Sequence, residues 1–326
     1  MNLLHKTLLA LAALALTWVS PCLAQSGAKV SHIGVLANAS RQGPVERSMA
    51  EFLRGMRDLG HVEGKNLRIE WRFTEGRSER LASMAAELVA LKVDVIVVSA
   101  GDPARATLAA TSSIPIVMVA VSDPENYVRN LARPEANITG FPQNSVESSV
   151  KYVELLRAQL PKLQRVAVLV NRYQTHQVTL DQIRKSAKAS GVSVFPVTAR
   201  NAGEIEHGLK AVVSNKSEAI IVVPDPLFSI LTPQISKFAV EHRLPTMFGN
   251  AVNVEQGGLM AYGVAPQALY YRAATYVDRI LKGARISELP VEFPTKIELT
   301  INLKTAKAIG VTIGPELRLR ADRVIE

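Results

Sequence analysis

Short β-branched runs in this chain repeatedly end in small, polar or acidic residues, and these endings are where chemistry with a small molecule is expected. Val93-Asp94-Val95-Ile96-Val97-Val98 runs into Ser99-Ala100-Gly101-Asp102-Pro103, and Ile114–Val121 runs into Ser122-Asp123-Pro124. A second pair copies the first: Glu218–Val223 ends in Pro224-Asp225-Pro226, and Leu244–Phe248 ends in Gly249-Asn250. Two further runs, Val30–Leu36 and Arg165–Val170, end in Ala37-Asn38-Ala39-Ser40-Arg41 and Asn171-Arg172-Tyr173-Gln174.

The residue types at these endings favour binding over turnover. Ser99, Ala100 and Gly101 are small enough to let backbone N–H groups approach a carboxylate, although a tight turn needing glycine would use the same residues. Asp123 and Asp225 can each accept from a ligand ammonium or hydroxyl, or each can cap an Asp-Pro turn. Asn38 and Ser40 offer donors to a ligand or plain loop chemistry. Asn171 faces the same region from the second copy, with Tyr173 able to stack on a ring. Asn250 stands either in the site or in hinge packing. The sequence contains no Gly-x-Ser-x-Gly elbow, no His-Glu-x-x-His and no Walker loop, so no catalytic residue is assigned. His5, His32, His61, His176, His207 and His242 show no metal-ligand spacing, and neither a metal nor a cofactor is expected.

The elements that must position these residues follow from periodicity. Apolar runs bounded by Gly and Pro predict strands buried on both faces. Between them, Val45, Met49, Phe52, Leu53, Met56 and Leu59 recur at helical spacing, as do Leu81, Met84, Ala85, Leu88 and Leu91. Strands alternating with amphipathic helices imply parallel sheets with right-handed crossovers, whose ligands sit at the carboxyl ends of the strands. The expected fold is α/β: two doubly wound parallel-sheet lobes joined by a multi-strand hinge, with a cleft between facing strand ends. The polar stretch Arg133–Asn137 is expected to make the first crossing, and the strand Leu259–Gly263 to return to the first lobe. These readings place residues 29–122 and 250–290 in the N-terminal lobe, and 123–249 and 291–326 in the C-terminal lobe.

A length of 326 residues suffices for two such cores, and 48% hydrophobic with 21% charged residues is an ordinary globular balance. Lys6 followed by apolar Leu8–Val19 and then Cys22-Leu23-Ala24 predicts a signal peptide over 1–24, cleaved after Ala24. About twelve apolar residues fall short of the roughly 20 needed to span a bilayer. A lipoprotein anchor at Cys22 is the alternative, with Pro21 where a small residue is expected. The expected location is the periplasm. Cys22 is the only cysteine, so the chain from Gln25 onward contains no disulfide. The net charge of +9 comes without basic runs interleaved with aromatics, so nucleic acid is not an expected partner. A monomer is expected.

Several motifs taken together resemble one family. They are Gly60-His61-Val62-Glu63-Gly64-Lys65-Asn66-Leu67, Leu131-Ala132-Arg133-Pro134-Glu135-Ala136-Asn137-Ile138-Thr139-Gly140 and Gly257-Gly258-Leu259-Met260-Ala261-Tyr262-Gly263. Leu303-Lys304-Thr305-Ala306-Lys307 and the tail Leu319–Glu326 belong with them. The chain resembles the ABC transporter substrate-binding proteins related to tryptophan- and tyrosine-binding proteins. That resemblance implies a type I periplasmic binding fold with three crossings, closure on a small-molecule ligand such as an amino acid or small carboxylate, and delivery to an ABC transporter permease. It differs at the hinge strand, where Gly249 is followed by Asn250-Ala251-Val252-Asn253 rather than by a charged residue. An extracytoplasmic sensing module and a secreted hydrolase are the competing readings.

Overall fold

The computed structural model describes residues 30–41, 44–75, 77–143, 145–172 and 174–326. The segment 1–24 expected to be a signal peptide, Cys22 with it, and Tyr173 lie outside the described residues.

The first sheet is built from β1 (Ser31–Ala37), β2 (Leu67–Phe73), β3 (Val95–Ser99), β4 (Ile116–Val119) and β5 (Ile138–Phe141), in the order β2-β1-β3-β4-β5. All its pairings are parallel. Helices α1 (Pro44–Asp58), α2 (Leu81–Ala90) and α3 (Gly101–Ala110) make the crossovers. β3 and β4 are central and buried almost throughout, which is why they read as unbroken apolar runs. The edge strand β2 alternates and is only half-buried.

The chain then passes through α4 (Ser145–Ser149) and α5 (Tyr152–Gln159) into the second sheet. There β6 (Arg165–Val170), α6 (Gln174–Ala189), β7 (Ser193–Thr198), α7 (Ala202–Ser214) and β8 (Ala219–Val222) follow. They are succeeded by α8 (Pro226–Ile230), α9 (Thr232–Glu241), β9 (Thr246–Phe248), α10 (Ala251–Glu255) and β10 (Met260–Gly263). The strands β7-β6-β8-β9-β10 repeat the order of the first sheet, element for element. The duplication seen in the sequence is therefore a duplication of topology.

Two crossings sit elsewhere than expected. Arg133–Asn137 does not leave the first lobe: it leads into β5, which pairs with β4, so the N-terminal lobe runs to Phe141 rather than ending at 122. Met260–Gly263 does not return either, because β10 pairs with β9 and β11 in the second sheet, so that sheet extends past 249. The physical reason is that a polar loop marks a chain reversal, which an αβ connection within a lobe needs as much as a crossing does. The return is made after Gly263 by α11 (Pro266–Leu281), which packs on α1 and on the first sheet. Leu289–Glu292 then runs beside β5, with Val291 N donating to Leu131 O at 2.7 Å and Glu292 N to Gly140 O at 3.0 Å. From there the chain crosses a third time into β11 (Glu298–Asn302), α12 (Leu303–Ile309), α13 (Pro315–Arg320) and β12 (Arg323–Ile325). β11 enters its sheet from the end where the other strands exit, so it runs antiparallel to β10.

Each sheet is covered on both faces by its own apolar clusters. At roughly 1.5–3 kcal/mol for each fully buried large aliphatic or aromatic side chain, these cores need no disulfide to balance the chain's conformational entropy.

One polar contact fixes the returning helix to the first lobe. His61, just past α1, donates from Nε2 to Asp278 Oδ1 of α11 at 2.8 Å, and Lys282 Nζ approaches the same carboxylate at 2.8 Å. Burial alone would raise the Asp278 carboxyl, but the hydrogen bonds and charges of Lys282 and His61 hold it below the usual carboxylate range. A carboxyl lowered in this way contributes stability above its unfolded pKa of about 3.9 and loses it as pH falls through the folded value. Asp278→Asn is expected to cost about 1–2 kcal/mol at neutral pH. Urea unfolding of the two proteins should show that gap closing below about pH 4.

Candidate functional site

The order 2-1-3-4-5 puts a topological switch between the first and third strands of each sheet, and a crevice opens beyond the strand ends there. In the first lobe the residues beyond β1 and β3 are Asn38–Ser40 and Ala100–Gly101. In the second, those beyond β6 and β8 are Asn171–Arg172 and Val223–Asp225.

The loop after β3 has the most unusual backbone. Ala100 adopts φ 71° and ψ 174°, a region that is essentially glycine-only, immediately before α3 begins at Gly101. The conformation is held from several sides. Ala100 N donates to Val119 O at 3.2 Å, and the Tyr127 hydroxyl donates to Gly101 O at 3.0 Å. Tyr270, buried on α11, donates its hydroxyl to Ser99 Oγ at 2.6 Å, which leaves the serine's own proton to donate elsewhere. Burial, followed by the Asp123 charge, pushes the Tyr127 phenol up to about 12, and burial does the same to Tyr270. Both therefore stay neutral donors.

Asp123, beyond β4, stands against this loop. Its Oδ1 lies 3.4 Å from where a Cβ on Gly101 would be, an ordinary contact, whereas that Cβ would meet the Tyr127 hydroxyl at 2.7 Å, so the absent side chain makes room for the phenol. Its Oδ2 accepts from Asn126 Nδ2 at 2.6 Å and, across the cleft, from Thr175 Oγ1 of α6 at 3.3 Å. Arg47 of α1 makes a second tie between lobes, an ion pair with Glu255 of α10, which Arg323 also contacts.

On the second lobe the polar groups hold one another. Asn171 N donates to His176 Nδ1 at 2.7 Å, and His176 Nε2 donates to Pro224 O at 3.2 Å. These partners assign a neutral, Nε2-protonated imidazole. Burial lowers the His176 pKa in the same direction, against the nearby Asp225 and Asp123 charges. Asp225 Oδ1 accepts from Leu227 N at 2.8 Å and Phe228 N at 3.4 Å, capping α8, while its Oδ2 lies 3.4 Å from Asn171 Nδ2.

Of the residues singled out from the sequence, Ser99, Ala100, Gly101 and Asp123 form one group. Asn171 and Asp225 form another, brought to it through Thr175 and His176. Asn38 lies apart from both: its side-chain amide bridges Thr74 Oγ1 at 2.8 Å and Ser78 Oγ at 3.0 Å, joining the tips of β1 and β2. Ser40 is half-buried beside it. Asn250 lines a recess on the hinge side of the cleft with Gln143, Ser145, Ser148, Pro224, Gly249 and Gly263. Gln143 reaches back to the first group, donating to Ser122 Oγ at 2.7 Å. Thr175, His176, Tyr127, Tyr270 and Gln143 were not legible as site residues, because each acts through a contact distant in sequence. The first two do sit at the start of the helix following a strand end, the one signal that pointed to them.

Among the described residues no group of three or more His, Cys, Asp or Glu could hold a metal ion, and no helix is long and apolar enough to cross a membrane.

The strain at Ala100 is testable. A non-glycine residue held there costs on the order of 1–3 kcal/mol, whereas glycine's extra backbone freedom costs roughly 0.5–1 kcal/mol. Ala100→Gly should therefore stabilise the protein by about 1 kcal/mol in chemical denaturation. A loss of stability would show that the loop carries no strain.

Comparison with known proteins agrees with this geometry. Residues 33–325 match the family described as ABC transporter substrate binding protein. A tyrosine-binding protein of Clostridioides difficile is 26% identical over 283 residues, covering 86% of this chain and 80% of that protein. A conserved domain protein from Vibrio cholerae superposes with a TM-score of 0.85 at 26% identity, covering 91% of this chain and 100% of the other. An ABC domain from Streptococcus pneumoniae in complex with L-Trp gives 0.84 at 25% identity, covering 90% and 99%. The ligand-free, open structure of a substrate-binding protein with adhesive properties from Clostridium difficile gives 0.68 at 25% identity, covering 91% and 99%. The two lobes have the type I periplasmic binding fold, and the chain belongs to the family of ABC transporter substrate-binding proteins.

Proposed function

We propose that this protein is an exported receptor that closes its two lobes on a zwitterionic aromatic amino acid and presents it to an ABC permease. The observation that carries the reading is the placement of Asp123 beside the amino end of α3. The backbone N–H of Gly101, at the positive end of a ten-residue helix, favours a ligand carboxylate. The Asp123 carboxylate, one strand away, favours the ligand ammonium. Both come from one lobe, so a single α-amino acid head satisfies both. The bridge from Asp123 to Thr175, and that from Arg47 to Glu255, are contacts a closed form makes. The better superposition on the Trp complex than on the open, ligand-free relative is consistent with that. The Trp and tyrosine bound by relatives are the motive for an aromatic side chain. Export rests on the Lys6, Leu8–Val19 and Cys22-Leu23-Ala24 pattern.

The expected outcomes concern one substitution and two ligand types. L-Tyrosine or L-tryptophan should raise the melting temperature of the wild type, because a ligand that binds only the native state stabilises it by mass action. Removing one partner of a buried, hydrogen-bonded charge pair costs about 2–5 kcal/mol. Asp123→Ala should therefore weaken the amino acid by roughly 30-fold or more. Its effect on the matching acid without the α-amine should be slight. Calorimetry on the matched pair checks this, and equal loss for both would mean that Asp123 holds the loop and not the ligand.

A further inference from the structure

Two hydroxyls meet at the carboxyl end of β3, and one of their protons is left over. Tyr270 Oη lies 2.6 Å from Ser99 Oγ, and among the described residues neither oxygen has another hydrogen-bond partner. Two O–H donors that share one hydrogen bond leave one proton unused, whichever of them donates. Burial decides which proton it is. Tyr270 is 4% exposed, its ring packed in the first-lobe core, whereas Ser99 is half-buried at the strand tip. An unused proton on the phenol would be a buried donor without an acceptor, at the full desolvation cost of that group. Tyr270 therefore donates, and burial pushes its phenol up to about 12, which keeps that proton in place. The unused proton is the one on Ser99.

The serine is an exception in its strand. Val95, Ile96, Val97 and Val98 are all buried apolar residues, and Ser99 is the fifth. In the second sheet β8 holds the place of β3 in the strand order, and the fifth residue counted from Ala219 is Val223, apolar and buried. Closing a strand end of this kind thus needs no hydroxyl. On the first lobe the hydroxyl stands immediately before Ala100 and Gly101, where the reading above places a ligand carboxylate. The bond from Tyr270 occupies one side of the serine oxygen, so the free proton turns away from α11.

We infer that Ser99 Oγ donates its free proton to the ligand carboxylate, and that Tyr270 is a positioning residue holding the serine hydroxyl in the donating orientation. The inference rests on the amino acid reading above. It adds a side-chain donor at the carboxylate end and ties that donor to α11, the helix that returns the chain to the first lobe.

The test is a cycle of Ser99→Ala, Tyr270→Phe and the double variant. Each is titrated calorimetrically with the tighter-binding of L-tyrosine and L-tryptophan, and with the corresponding amine, tyramine or tryptamine. The amine keeps the ring and the ammonium and lacks the carboxylate. A hydrogen bond to a charged group predicts that Ser99→Ala weakens the amino acid about tenfold or more and the amine by less than about twofold. Tyr270→Phe, which removes one oxygen and keeps the ring, should weaken the amino acid by about threefold and should add almost nothing in the Ser99→Ala background. A merely structural role for Tyr270 would instead weaken both ligands and persist in that background. Equal loss of amino acid and amine in Ser99→Ala, or an undiminished effect of Tyr270→Phe in the double variant, overturns this inference alone. Where the amine binds too weakly to titrate, the double variant decides. A wild type that binds neither amino acid overturns the aromatic reading and this inference with it.

Discussion

A carboxylate set between two sheets must find hydrogen-bond donors, and Asp123 takes them from both lobes. Asn126 supplies one from its own loop and Thr175 another from across the cleft, while Asp123 Oδ1 stands beside Gly101, the glycine that the Tyr127 hydroxyl braces. That arrangement requires the strained turn at Ala100, which Tyr127 and Tyr270 brace. It also requires α11 to return to the first lobe, since Tyr270 belongs to that helix. The third crossing is pinned to α11 in turn, with the Tyr276 hydroxyl 2.7 Å from both Pro290 O and Glu292 Oε1. The polar head site and the hinge are thus parts of one mechanical unit.

The two lobes share a strand order but have diverged at equivalent strand ends. After β3 the chain places Ala100 and Gly101, and no side-chain cap competes for the amino end of α3. After β8 it places Asp225, whose own carboxylate occupies the equivalent helix end. An end already holding an anion repels a second one, so the first lobe is suited to a ligand carboxylate and the second to closing over it. His176 contributes as a neutral strut, positioning the Asn171 and Pro224 backbone.

Much of this was legible in the sequence. Unbroken apolar runs identified β3, β4 and β8, and the repeat of strand, helix and strand identified the duplicated order. Boundaries were less legible, because Arg133–Asn137 looks the same in composition whether it crosses between lobes or turns back into β5. The strand Met260–Gly263 carries no signal saying which sheet it joins; its partner Phe248 is set by register in space. Among site residues, the small and acidic strand ends were visible as types, but their commitments were not. Asn38 and Asp225 turned out to be engaged by Thr74 and Ser78 and by the α8 backbone.

The central claim is closure on an amino acid, and the distance between the lobes tests it most directly. The chain from Gln25 onward has no cysteine, so labels can be placed at Glu79 in the first lobe and Asp181 in the second without a background thiol. Both positions are exposed. Double electron–electron resonance should give a distance distribution that shifts and narrows on adding saturating L-tyrosine or L-tryptophan. The same distribution with and without a ligand that demonstrably binds would contradict the account.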